Sequence, residues 1–176
     1  MNPGEYGKAL YLLAKEEGIE KEILVQSEQL VKLFSDHPKY ITLLDTPAVQ
    51  SSEKIELLDN AFTGLHVHLL SFMKILVSKR SMYLFPKAFK AYKDAYEEDN
   101  NILHAYAVTA VALNQKQFDV LTAKLCKITC KNVILHNTVD TRLMGGIRLQ
   151  FDGKQLDASI EAQLANLKAS LKQSTL

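Results

Sequence analysis

The chain has 176 residues, 47% hydrophobic and 23% charged, which suits one sizeable core or two small ones and excludes a disordered chain. Its net charge of +1 excludes a general nucleic-acid binder, because neutralising phosphates needs a large basic excess. Its two cysteines, Cys126 and Cys130, share a segment of helical pattern with no further ligands nearby, which argues against a disulfide scaffold and a zinc site.

Met1 to Glu5 has neither a basic n-region nor an apolar h-region, so no signal peptide is expected. Residues 5–17 put Tyr6, Leu10, Leu13 and Ala14 on one helical face, widened by Ala9 and Leu12, with Gly18 as the stop. Residues 20–35 turn Ile23, Leu24, Ser27, Leu30, Val31 and Phe34 inward until Asp36-His37-Pro38 breaks the helix. Tyr40 to Leu44 reads as a short apolar turn of helix. Ser51 or Ser52 caps a helix reaching Phe62, with Ile55, Leu58 and Phe62 inward. After Gly64, residues 65–79 form a broad apolar face of Leu65, Leu69, Phe72, Met73, Leu76 and Val77. Lys74 and Lys79 interrupt that segment, so no transmembrane span is expected. Residues 82–98 carry the stripe Phe85, Ala88, Phe89, Tyr92, Ala95 and Tyr96, with Pro86 in the first turn, where its missing N–H costs least.

These segments predict a compact N-terminal six-helix bundle. The run Glu97-Glu98-Asp99-Asn100-Asn101 breaks the composition, and the expected organisation is a helical bundle over 1–105 and a smaller module over 106–176. Charge separates along the chain as well: residues 1–100 hold 12 basic and 15 acidic side chains, residues 101–176 hold 9 and 5.

Beyond the break the period changes. Leu103 to Leu113 reads as a strand, Asn114 with Gln117 as a capping box, and Phe118, Leu121, Leu125 and Ile128 as a helical stripe. Val133, Leu135, Asn137 and Val139 alternate as a strand, and Thr141-Arg142 turns the chain. Gly145-Gly146 leads into Ile147, Leu149 and Phe151, which alternate with Arg148 and Gln150, and Asp152-Gly153 favours a tight hairpin turn. Lys154 to Leu156 starts a return strand, Asp157 fits a helix N-cap, and Ile160, Leu164, Leu167 and Leu171 form one stripe. The fold class is therefore mostly α with a small α+β part, a C-terminal β-α-β-β-α module.

No motif with a catalytic mechanism is present. His66 and His68, two apart on a helix, would point about 200° from each other. His37, His104 and His136 read as isolated, and Gly145-Gly146 is no phosphate-cradling loop. The lysines at 87, 90 and 93 lie off the aromatic stripe of their helix, the pattern of a core helix with a wet back. No cofactor and no metal are expected.

The glycine pair, apolar strand, Asp-Gly turn and leucine-striped last helix resemble the C-terminal signature of the delta subunit of F-type ATP synthases, homologous to the mitochondrial oligomycin-sensitivity-conferring protein. Val139-Asp140 and Tyr6-Gly7-Lys8-Ala9-Leu10 are similar to family patterns too, and so is the layout of the full chain. The chain departs from the family at Gly7, where alanine is usual, and at Ala158, where Asp-Gly-Ser is usual before the last helix. The resemblance implies a non-catalytic peripheral-stalk (stator) subunit, one copy per hetero-oligomeric complex, without direct membrane insertion. With no transit-peptide pattern and a short chain, a bacterial protein on the cytoplasmic side of its plasma membrane is expected. It implies that the N-terminal bundle binds alpha-subunit N-termini in a groove on its first and fifth helices, and that the C-terminal module meets the b subunits of the peripheral stalk.

Helices 5–17 and 65–79 are apolar over more than the ~100° stripe that one-sided packing requires. Tyr6, Ala9, Leu13, Phe72, Ile75 and Lys79 are accordingly expected at the alpha groove. The alternative is that the surplus apolar residues fill the bundle core. Gly146, Arg148 and Asp157 are expected to serve stalk binding or module integrity, and Gly146→Asp to disrupt assembly by forcing a charged side chain onto the start of the strand. The competing functional reading is an unrelated helical adaptor that binds an amphipathic partner helix.

Overall fold

The computed structural model describes residues 2–173, and side chains as far as Lys168. Among these residues the chain forms eight α-helices, one 3-10 turn and a four-stranded mixed sheet. It divides into two compact units, Met1–Tyr96 and Glu97–Leu176. A boundary at 105/106 would cut through the first strand, which begins at Ile102.

The first unit contains α1 (Pro3–Glu16), α2 (Glu20–Asp36), α3 (Pro38–Asp45), α4 (Ser51–Ala61), α5 (Val67–Ser78), a 3-10 turn (Met82–Leu84) and most of α6 (Phe85–Asp99). Asn2 caps α1 by accepting the Gly4 N–H at 3.1 Å, with Pro3 in the first turn. The core is built from Ala14, Ile23, Leu30, Leu58, Leu69, Met73, Phe85 and Tyr92, all buried. Tyr11 meets Tyr92 edge to face at 5.5 Å, a geometry that the ring quadrupoles favour. Gly7 lets α1 lie directly against α6: a Cβ there would collide with the Ala88 carbonyl oxygen and sit 3.0 Å from the Ala91 Cβ.

Three local readings change in this unit. α4 starts at Ser51 with Gln50 at its N-cap and no side-chain cap bond, so neither Ser51 nor Ser52 caps it. In α4 the fully buried neighbour of Leu58 is Lys54, with Ile55 half-buried. The Lys54 stem packs inside while its ammonium donates to the Thr46 carbonyl at 2.6 Å, which meets the need for a partner at a buried charge. The fifth helix starts at Val67, and His66 stands outside it as the N-cap.

The second unit contains β1 (Ile102–Thr109), α7 (Gln115–Thr129), β2 (Asn132–Val139), β3 (Gly146–Phe151), β4 (Lys154–Ser159) and α8 (Ile160–Gln173). The sheet order is β2-β1-β3-β4: β1 runs parallel to β2 and antiparallel to β3, and β3 and β4 form a hairpin. One face packs on α7 through Ala105, Ala107, Val133, Leu135, Leu149 and Leu125. The Asn114–Gln117 capping box is present in both directions.

The module is thus β-α-β-β-β-α, one strand more than the pattern predicts. The return strand runs on through Asp157 to Ser159, so Asp157 is a strand residue and does not cap the helix. Ser159 caps α8 instead, its hydroxyl accepting the Ala162 N–H at 3.3 Å. The first strand ends at Thr109, and residues 110–113 form a loop. Ile160, Leu164 and Leu167 of α8 are exposed, and the side chain of Leu171 lies outside the described residues.

Candidate functional site

In the first unit, α1 and α5 run side by side and antiparallel, tied at both ends by polar contacts. At one end the Lys79 ammonium donates to the Tyr6 hydroxyl at 2.7 Å and lies 5.3 Å from the centre of its ring. At the other, His68 Nε2 is 2.8 Å from both carboxylate oxygens of Glu17. By helical rise, the stretch from Tyr6 to Glu17 is about 16 Å long, three turns of helix.

Between these ties the six expected groove residues separate. Ala9 is exposed, and so are Leu13 at 40% and Ile75 at 45%. Phe72 faces the bundle and is buried, so for this residue the core-filling alternative describes its place. Tyr6 is half-buried and Lys79 exposed. The seam carries opposite charges at its ends, with Glu16 and Glu17 at one and Lys79 and Arg80 at the other.

In the second unit, Gly146 has φ +86°, and a Cβ there would collide with the Ala158 carbonyl oxygen and approach Ser159 Cα to 2.8 Å. Its missing side chain is what allows β3 and β4 to close at their last pair, Gly146 and Ser159. Arg148 and Asp157 face each other across the same hairpin, with Nε donating to Oδ2 at 3.1 Å. Asp157 also accepts the Ser159 N–H at 3.0 Å. Hydrogen bonding from Ser159, and then from Arg148, holds its carboxyl below the ordinary aspartate value. In the turn between β2 and β3, Arg142 grips Asp140 with Nε and Nη2 at 3.0 and 2.9 Å. Together with the Arg142 backbone N–H, this pulls the Asp140 carboxyl down to about 2.

The histidines do not lie as their spacing implies. His66 sits outside the helix and its Nδ1 accepts the His68 N–H at 3.4 Å, so the two rings are 5.3 Å apart rather than pointing away from each other. His104 and His136 are not isolated: Nδ1 of one is 2.9 Å from Nε2 of the other, and His104 Nε2 is 3.0 Å from Glu97. The pairing depends on the parallel register of β1 and β2, which no local pattern carries. Among the described residues no group of three or more His, Cys, Asp or Glu side chains is arranged to hold a metal ion, and no helix is long and apolar enough to cross a membrane.

The chain therefore combines a helical unit, with a partly exposed apolar seam between polar ties, and a small mixed-sheet unit. The profile of the ATP synthase delta (OSCP) subunit family matches residues 3–171. ATP synthase subunit delta of Latilactobacillus sakei subsp. sakei is 31% identical over 170 residues, covering 94% of this chain and 93% of that protein. That of Leuconostoc citreum is 28% identical over 168 residues, covering 95% and 93%. A chain of the Toxoplasma gondii mitochondrial ATP synthase hexamer shares the fold, with a TM-score of 0.66 at 17% identity and 97% coverage of both chains. The chain belongs to the ATP synthase delta (OSCP) family, the peripheral-stalk component of F-type ATP synthase, and the unrelated-adaptor reading is set aside.

Proposed function

We propose that this chain is a non-catalytic mechanical link that joins the alpha/beta catalytic head to the membrane-anchored b subunits and resists the torque of rotation. Its helical part takes the N-terminal helical segments of alpha subunits, and its C-terminal module takes b. One copy acts per complex, on the cytoplasmic side of a bacterial plasma membrane, with no nucleotide or other cofactor of its own. Bacterial relatives support the bacterial setting.

The observation that carries the head-side assignment is the α1–α5 seam, where Ala9, Leu13 and Ile75 are exposed between the Tyr6–Lys79 and Glu17–His68 ties. An amphipathic helix laid there covers these side chains with anchors at i, i+3, i+4 and i+7. The end charges set its direction: the positive N-terminal end of the helix dipole belongs beside Glu16 and Glu17, and the C-terminal end beside Lys79 and Arg80. Arg148 and Asp157 belong to the stalk-side unit, and Gly146 maintains its hairpin.

The test is titration of the full chain with a synthetic peptide of the alpha N-terminal segment, followed by calorimetry. Leu13→Asp and Ile75→Asp, both at exposed positions, are expected to weaken binding about tenfold or more, roughly 1.4 kcal/mol each, with unchanged circular dichroism. Absence of binding by the parent chain at high micromolar peptide removes the proposal.

A further inference from the structure

The second unit contains a cleft of about 590 Å³ between α7, the 110–113 loop and the 144–147 turn. Its rim is apolar and uncovered: Val111, Val120 and Met144 are 75%, 55% and 78% exposed. Three large apolar side chains converging on one concavity mark a surface that something else covers. The charged residue that lines it is Lys124.

That lysine is part of a row. At 100° per residue, Lys116, Lys124 and Lys127 of α7 fall within an arc of about 80° that also contains Val120. All three are exposed, and among the described residues none has an acidic partner. Asp119 lies about 60° outside the arc and is engaged by the Gln115 side chain at 2.9 Å. From Lys116 to Lys127 the row is about 16 Å long, three turns of helix. Unsatisfied positive charge alongside an apolar cleft selects an occupant with the opposite pattern.

We infer that this cleft and the lysine row beside it are the docking surface of the second unit, and that the segment docked there is an amphipathic helix with an apolar anchor flanked by carboxylates. The inference rests on the reading that this unit meets b, and it moves the contact from the outer Arg148–Asp157 pair to the α7 side of the sheet. The anchor enters between Val111, Val120 and Met144, and the carboxylates face Lys116, Lys124 and Lys127.

The experiment uses the full chain and the soluble helical part of its cognate b subunit as the probe. Val120→Asp and Lys124→Glu are each expected to weaken binding about tenfold or more, as truncating or reversing an interface anchor does. Replacing Lys116, Lys124 and Lys127 together with alanine is expected to remove most of the salt dependence of binding, because exposed charge pairs are screened. If Val120→Asp loses its native circular dichroism, Lys124→Glu and the triple variant decide. Equal b binding by the lysine variants and the parent overturns the assignment and leaves the stalk reading intact; no b binding by the parent removes both. Phosphatidylglycerol vesicles are the control: lysine-dependent binding to vesicles, with b binding unaffected by the same variants, makes the surface a lipid site and overturns the inference.

Discussion

Replacing Gly146 with alanine tests how the hairpin is closed. At φ +86° an L-residue costs about 1–2 kcal/mol in backbone energy alone. The new Cβ would also run into the Ala158 carbonyl oxygen and Ser159 Cα, both backbone atoms that cannot swing away. β4 must then shift at its final pair, and Ser159 moves off the Ala162 N–H that it caps, a further ~1 kcal/mol. The expected loss is about 2–4 kcal/mol, a large fraction of the ~5–15 kcal/mol that holds an ordinary domain together. Gly153→Ala is the matched control: φ is +69° there, but nothing lies within 4 Å of the added Cβ, so only the same backbone cost of about 1–2 kcal/mol applies. Urea unfolding of the full chain gives the stability, with hydrogen exchange at β3 and β4 amides to localise it, since two units need not unfold as one. If Gly146→Ala costs no more than Gly153→Ala, the close approach is not what makes glycine necessary. The same comparison reinterprets Gly146→Asp: the backbone collision precedes any effect of the carboxylate, so alanine and aspartate should destabilise the hairpin alike.

Gly7→Ala should lower the melting temperature even though alanine is better than glycine inside a helix by ~1 kcal/mol. The cost of overpacking against the Ala88 carbonyl and Ala91, about 1–3 kcal/mol, outweighs that gain; a rise in melting temperature would show that α1 can move off α6 freely. Asp140, drawn down to about 2 by Arg142, makes acid stability depend on this turn. Its folded value is depressed, so its contribution is present above the ordinary value near pH 4 and is lost as pH falls towards 2. Arg142→Gln should flatten the acid-unfolding profile in that window, and an unchanged profile would count against the role of the pair.

What the sequence makes legible here is local. The Asn114–Gln117 box and the Asp152-Gly153 turn depend on neighbours two to three residues apart, and both form as read. Asp157 misleads for a physical reason: a carboxylate that accepts an N–H two residues on satisfies an Asx turn as well as a helix cap. Pairing with Arg148 across the hairpin keeps it in the strand and leaves the cap to Ser159. The burial of Lys54 is hidden because its partner is a backbone carbonyl eight residues away. In the seam, the excess width of the apolar stripes signals that some side chains face outward. Choosing Leu13 and Ile75 over Phe72 requires knowing how α1 and α5 face one another.

One of the two inner strands of the sheet, β1, is also the first of its strands to be made, and both of its neighbours come later. During synthesis it emerges with neither edge filled, and its antiparallel mate is complete only at Phe151, some 40 residues on. At ribosomal rates of about 5–20 residues per second, that is a wait of roughly 2–8 s with that edge of β1 unpaired. The nascent chain therefore passes through a vulnerable interval, and slow codons between Thr109 and Phe151 would lengthen it.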